Sequence, residues 1–222
     1  MLEGVHTAGY TFNDLKLDNI MVGFQSKLPK EYSEENVFTD ATLHLVDFGF
    51  ATRFVNKQTG AHIAEEEVET FRGNMIFGSL NQLNFKVTSR RDDLISLSYM
   101  LIYMLNKGEL TGIDLESNLS NTEAFKLARK AKENHTLADL CCKEAQIMVK
   151  FVAECFSLKF EETPDYNKLR KIITETFSNK NDLDTSSSSI EGEENLMDED
   201  NLNWSESNQM EITSPKNIKD II

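Results

Sequence analysis

The sequence predicts a mainly α-helical fold: a helical bundle around one central apolar helix, with a small β-hairpin and an acidic tail outside it. Three observations predict it. Leu94 to Leu105 is apolar on nearly every helical face and follows Asp92-Asp93, carboxylates suited to a helix N-terminus, where free N–H groups need acceptors. A helix with no polar face belongs in the interior. Ile20-Met21-Val22 and Leu43 to Val46 are short apolar runs of strand type that can pair as a hairpin, and beyond Ser178 the apolar periodicity stops.

Composition bounds what this fold can do. The chain has 222 residues, 40% of them hydrophobic, with 14 Phe, enough for one well-filled core. Of the net charge of −14, residues 180–222 contribute −8 (11 acidic, 3 basic), leaving −6 on residues 1–179. The domain reading is therefore a folded body, 1–179, and a disordered, acidic, Ser-rich tail, 180–222. Neither part offers a basic face for nucleic acid. Leu94 to Leu105 is far short of the ~20 apolar residues of a membrane span, and Met1-Leu2-Glu3-Gly4 is not a signal-peptide start. Cys141, Cys142 and Cys155 lack metal-ligand spacing and read as reduced thiols. A soluble intracellular monomer is expected, cytoplasmic with the nucleus also open to it, binding neither nucleic acid nor membrane.

In chain order, Met1 to Gly9 reads as the end of a helix stopped at Gly9. Phe12 to Asn19 is a polar loop before the first hairpin strand. Gly23 to Thr42 is far longer than the ~2–5 residues of an ordinary hairpin loop and reads as an exposed insertion. Ala51 to Arg72 is polar and irregular, with Glu65-Glu66-Glu67 solvated, and Gly73 to Phe85 suggests a partly buried loop. Asn106-Lys107-Gly108 ends the central helix. Thr122 to Glu133 and Lys143 to Ser157 have amphipathic spacing, and Thr163-Pro164-Asp165 opens a last helix over 166–177.

The chemistry concentrates in Asn13-Asp14-Leu15-Lys16-Leu17-Asp18-Asn19 and in Asp47-Phe48-Gly49, which follows a strand. Phosphoryl transfer needs metal ions on the nucleotide, a cation to follow the transferring group, and a carboxylate to orient the hydroxyl. Asp14 is placed to be that carboxylate, and Lys16 to meet the developing charge. Asn19 and Asp47 offer the oxygen ligands that Mg²⁺ prefers. Alone, the first stretch could be a simple polar turn; the Asp-Phe-Gly that follows a strand makes that reading much weaker.

These residues carry a family resemblance. The chain resembles the C-terminal lobe of a eukaryotic protein kinase, and within that superfamily the casein kinase I family, over residues 5–177. The stretches that carry it are Asn13 to Asn19; Asp47-Phe48-Gly49 with Ala51; Ser89 to Leu94 with Ser96-Leu97; and Phe156 to Phe160 through Pro164-Asp165-Tyr166 to Leu169-Arg170. The resemblance implies an ATP-dependent serine/threonine protein kinase with protein substrates and Mg²⁺–ATP as cofactor. It implies Asp14, Lys16 and Asn74 as catalytic residues, Asn19 and Asp47 as ligands of metal and nucleotide, and Asp93 as the carboxylate that ties the central helix to the catalytic loop.

The departures are as specific. Phe12-Asn13-Asp14 stands where kinases carry His-Arg-Asp; Phe12 can fill the apolar slot, whereas Asn13 cannot pair with a phosphorylated activation loop. Leu17 replaces the common proline, a mild change. Gly73-Asn74-Met75-Ile76-Phe77 stands for the family's Gly-Thr-Ala-Arg-Tyr. Asn74 is expected to bond Asp14 and Lys16 as the threonine would, and Ile76 cannot supply the arginine that binds primed substrates. Nothing before Asp14 supplies a Gly-rich loop or its partner lysine, so the expectation is a truncated kinase, without an N-lobe and weak or inactive alone. The alternative is a non-catalytic, pseudokinase-like binding module derived from such a lobe. Ser186 to Ser189 before acidic residues is a context that acid-directed kinases phosphorylate, and a solvated tail is the simpler expectation.

Overall fold

The computed structural model describes residues 1–23, 42–113 and 119–186, with 179–186 described by backbone alone. The body of the predicted insertion, 24–41, and the tail from 187 onward lie outside the described residues.

The chain opens with α1 (Leu2–Thr7), which ends before Gly9 as predicted. Gly9 has φ +84°, and a Cβ there would stand 2.7 Å from Val55 Cγ2, so both conformation and space require glycine. After β1 (Tyr10–Thr11) and a polar loop, a 3-10 turn at Leu17–Asn19 leads into β2 (Ile20–Val22). β2 pairs antiparallel with β3 (Leu43–Leu45) in the register Ile20↔Leu45, Met21↔His44, Val22↔Leu43, which is the predicted hairpin. β1 pairs with β4 (Thr52–Arg53) in a stretch whose sequence suggests no regular structure. Two residues are too few to show strand alternation. The pair is held by side chains, Thr11 Oγ1 lying 2.9 Å from Thr52 Oγ1.

α2 (Leu80–Leu83) is capped by Ser79, whose hydroxyl accepts from Gln82 N, and precedes α3 (Arg90–Leu105), the predicted central helix. Leu94, Ile95, Tyr99, Met100 and Ile102 are buried on it. Its buried hydroxyls donate back along the helix, Ser96 to Asp92 O and Ser98 to Leu94 O, so they need no outside partner. α4 (Asn121–Asn134) and α5 (Leu137–Leu140) both start with a capping box, Ser120 with Glu123 and Thr136 with Asp139.

Lys143 to Ser157, predicted as one helix, divides into a 3-10 turn (Lys143–Met148) and α6 (Val149–Ser157). Lys143 has φ +52°, which an α-helix cannot accommodate, and Ala145 N donates to the Asn106 side chain (3.1 Å). α6 lays Phe151, Val152 and Cys155, all at most 1% exposed, against α3; each such apolar side chain contributes ~1.5–3 kcal/mol on burial.

α7 (Tyr166–Ser186) starts where predicted, with Asp165 accepting from Lys168 N at 2.9 Å. It runs on past Phe177, through residues predicted to be disordered. No Gly or Pro interrupts that stretch, and an existing helix extends without a new nucleation cost.

Helices take up about half of the described residues, beside two small antiparallel sheets. Among the described residues no helix is long and apolar enough to cross a membrane. The three cysteines are free, Cys141 and Cys155 buried and Cys142 half-buried.

Candidate active site

The loop from Phe12 to Asn19 is held from beneath by α3. Asp93, 1% exposed, accepts from Phe12 N (2.7 Å) and Asn13 N (2.8 Å), fixing two successive peptide units next to Asp14. Asp93 also meets His6 Nε2 at 2.8 Å. Hydrogen bonds to a carboxylate are about twice as strong as neutral ones, so these three make a stiff anchor. Asn13 has φ +69°, which asparagine tolerates better than most residues. Its side chain locks that conformation: Nδ2 donates to Phe50 O and Thr52 Oγ1, both at 2.8 Å, and Oδ1 accepts from Thr88 Oγ1 at 2.6 Å. Gln82 Nε2 donates to Asn13 O at 2.8 Å and also to Arg72 O.

Asp14 is 1% exposed. Its Oδ2 accepts from Asn19 Nδ2 at 2.9 Å and faces Lys16 Nζ at 3.3 Å. Oδ1 takes no hydrogen bond from the described residues, yet is not among the sealed-off unpaired atoms. A carboxylate with one oxygen held and the other without a hydrogen bond among the described residues has the acceptor that orienting a hydroxyl needs. Three of the predicted residues, Asp14, Lys16 and Asn19, are thus brought together.

Asp47 reaches the same place through the hairpin. The β2–β3 ladder is extended by Val46 N donating to Asn19 O at 3.0 Å, so Asp47 is the residue next along from Asn19's partner. It has φ +60°, stabilised by Gly49 N donating to its Oδ1 at 3.1 Å, and is exposed. Phe48 sets its ring edge-on against the fully buried Phe12, with centroids 5.1 Å apart. Phe12 fills the expected apolar slot.

The donor set suits Mg²⁺: Asn19 Oδ1 takes no hydrogen bond among the described residues, and Asp47 presents an exposed carboxylate. Mg²⁺ characteristically takes one or two protein oxygens and completes its shell with water and phosphate. Among the described residues no group of three or more His, Cys, Asp or Glu side chains is placed to hold an ion by itself.

Asn74 requires a correction. It makes no hydrogen bond to Asp14 or Lys16. Its Oδ1 instead accepts from Ile76 N (2.8 Å) and Phe77 N (3.0 Å), closing a turn in its own loop. That turn fixes the side chain within its own loop, and its Nδ2 makes no bond to the Asp14 carboxylate.

The neighbouring Gly73, at φ +114°, brings that loop against the Phe12–Asn19 loop so closely that a Cβ would lie 2.1 Å from Asn13 O. The same loop is anchored from α4 by Lys132, whose ammonium donates to Met75 O, Ile76 O and Gly78 O and lies 4.4 Å from the centre of the Tyr99 ring. Burial without a carboxylate partner holds Lys132 well below the usual lysine range.

Asp92, beside Asp93, binds the loop's end: it accepts from Ser79 Oγ (2.6 Å), Asn81 Nδ2 (3.1 Å) and Ser89 N (2.8 Å). Burial pushes its carboxyl above the ordinary range, and these donors pull against that shift.

Sequence reasoning did not find His6, Gln82, Thr88 or Lys132, all of which support the loop. Each is a single polar residue whose partners lie far away in the chain. His6 alone carried a hint, as a polar ring in an otherwise short, partly apolar helix end. Behind Asn13 opens a cavity of about 400 Å³ lined in part by Arg53, Arg72 and Lys86. No protein-family model matches the chain.

Proposed function

We propose that this chain carries the catalytic loop and metal-binding residues of a serine/threonine protein kinase of casein kinase I type. The observation that carries this reading is the buried Asp14 carboxylate with Lys16 and Asn19 on one of its oxygens, and Asp47 following Val46, whose N–H bonds Asn19 O. In this reading Asp14 orients the substrate hydroxyl and Lys16 follows the transferred charge. Asn19 and Asp47 would hold Mg²⁺, which supplies charge neutralisation on the nucleotide phosphates when bound. The assignment of Asn74 as a catalytic residue receives no support from its hydrogen bonds.

Register adds a second support. Ile20 and Leu45 turn toward the core, so Met21 and His44, with Val46 one step beyond Leu45, lie on the opposite face of the hairpin, next to the turn that ends in Asn19. Met21 and Val46 are exposed there beside the proposed metal ligands, an apolar floor of the kind a nucleotide base needs.

The test is phosphate transfer from ATP to an acidic peptide by the purified chain, with and without Mg²⁺. The expected result is slow, Mg²⁺-dependent transfer that Asp14→Asn and Asp47→Ala each remove. Transfer that persists in both variants would overturn the assignment. Nucleotide binding lost in Asp47→Ala, with no transfer by the parent chain, would favour the binding module.

A further inference from the structure

The anchor beneath the catalytic loop continues beyond Asp93. His6 is 4% exposed and uses both ring nitrogens: Nε2 meets Asp93 Oδ2 at 2.8 Å, and Nδ1 meets the Tyr166 hydroxyl at 2.6 Å. Asp93 accepts from Phe12 N and Asn13 N, so His6 presents Nε2–H to it, and Nδ1 is the nitrogen left to accept from Tyr166. Tyr166 has no other acceptor among the described residues, and it donates to that nitrogen. Burial pushes the Tyr166 phenol up to about 12, keeping it a donor across the working range. The series therefore runs from the first residue of α7, through α1, to the head of α3, and ends on the peptide units that carry Asp14.

We propose that Tyr166 is a positioning residue for Asp14. Asp93 selects the Nε2–H tautomer of His6, and Tyr166, by donating to Nδ1, holds that ring in the position that completes the donor set of Asp93 and steadies the Phe12–Asn13 backbone. The inference rests on the assignment of Asp14 above for its functional meaning, and on geometry alone for its physical content. α1 and α7 also share an exposed contact, Arg170 Nη1 to Glu3 Oε2 at 2.6 Å, which joins the same helices without touching the series. That contact gives the control.

The experiment compares the ¹⁵N-labelled full chain with Tyr166→Phe and Arg170→Ala. Long-range ¹H–¹⁵N spectra read the His6 tautomer, and hydrogen exchange reads the Phe12 and Asn13 amides. In the parent chain His6 is expected as a single Nε2–H tautomer. Tyr166→Phe is expected to move the Nδ1 resonance of His6, an acceptor that has lost its donor, and to speed exchange at those two amides by about tenfold, the scale of one lost buried hydrogen bond. Amides of α3 and α6 are expected to stay unchanged, and Arg170→Ala to change neither readout. An unaltered Nδ1 resonance and unaltered exchange in Tyr166→Phe would overturn the proposal, as would a doubly protonated ring in the parent chain, a uniform rise through the core or an equal effect of Arg170→Ala. Where transfer is measurable, Tyr166→Phe is expected to lower kcat with KM for ATP unchanged. The spectroscopic readouts need no turnover, so absence of phosphate transfer bears on the reading of Asp14 and leaves this one standing.

Discussion

Asp93→Asn tests the anchor most directly, because it removes one oxygen and changes almost no volume. In the parent chain Oδ2 accepts from Phe12 N and His6 Nε2, while Oδ1 accepts from Asn13 N. The asparagine can place its single oxygen at either position. At the Oδ2 position it keeps two bonds but turns an NH₂ toward Asn13 N–H, a donor against a donor at 2.8 Å. At the Oδ1 position it faces two donors with another.

The better choice loses one charge-assisted hydrogen bond, worth about 1.5–3 kcal/mol, and leaves a buried N–H unpaired at about 1–3 kcal/mol more. These overlap, so about 3 kcal/mol is the expected loss. With a urea slope of about 2 kcal/mol/M, the unfolding midpoint followed by far-UV circular dichroism should fall by about 1.5 M. A loss under about 1 kcal/mol would refute the reasoning, since it would mean that the three donors are satisfied without the second oxygen.

Other substitutions probe separate parts of the frame. Gly73→Ala puts a methyl 2.1 Å from Asn13 O at φ +114° and should cost about 3–4 kcal/mol by chemical denaturation, from strain and overpacking together; a loss below 1 kcal/mol would show that the loops part easily. Lys132→Met keeps the stem but leaves buried carbonyls of Met75, Ile76 and Gly78 without their donor, for an expected loss of about 2 kcal/mol at neutral pH. Because burial depresses the Lys132 pKa, the unfolded chain binds its proton more readily, and that group's stabilisation is lost as pH falls through its folded value. The stability difference between the parent and Lys132→Met should therefore grow as pH rises toward the ordinary lysine value of 10.5, and a flat difference would contradict the burial argument. Burial also pushes the Cys141 and Cys155 thiols up to about 11 and 12, so a disulfide reagent at pH 8 should label Cys142 first in the folded chain. Equal rates at all three would show that the core opens faster than it is expected to.

What the sequence made legible was whatever residue type alone decides. Leu94 to Leu105 needs no partner to declare itself buried, and the spacing of Asp14, Lys16, Asn19 and Asp47 marked out the candidate site. Pairing was legible only where both strands were apolar, as in Ile20–Val22 with Leu43–Leu45. The Tyr10–Thr11 pairing with Thr52–Arg53 was not, because two-residue strands carry no period. Support for the site was hidden for the same reason: Gln82, Thr88 and Lys132 are tied to the loop by distance in space, and a lone polar residue looks the same whether it is solvated or holds a backbone carbonyl. Asn74 shows the converse. Its residue type allowed a role at Asp14, and a local turn two residues long took its oxygen first.

The two sides of the candidate site are built to different stiffness, and this bears on how such a site would act. Asp14 stands on a loop clamped by Asp93, Asn13, Gln82 and Asn19, every one of them buried. Asp47 stands beyond a short strand, exposed, with Gly49 N–H as the hydrogen bond to its side chain and Phe48, half exposed, leaning on Phe12. The residue that would orient a hydroxyl is therefore preorganised, whereas Asp47, the residue that would bind the metal, would be ordered further by the ion. A preorganised base and an ion-ordered ligand should respond differently to substitution. Asp14→Asn would be expected to change the rate of the chemical step and leave nucleotide affinity nearly intact, and Asp47→Ala to weaken Mg²⁺-dependent nucleotide binding itself. Calorimetric titration with ATP, with and without Mg²⁺, separates the two. Equal losses of affinity in both variants would mean that Asp14 is part of the metal site, and the division of labour drawn from their burial would fail.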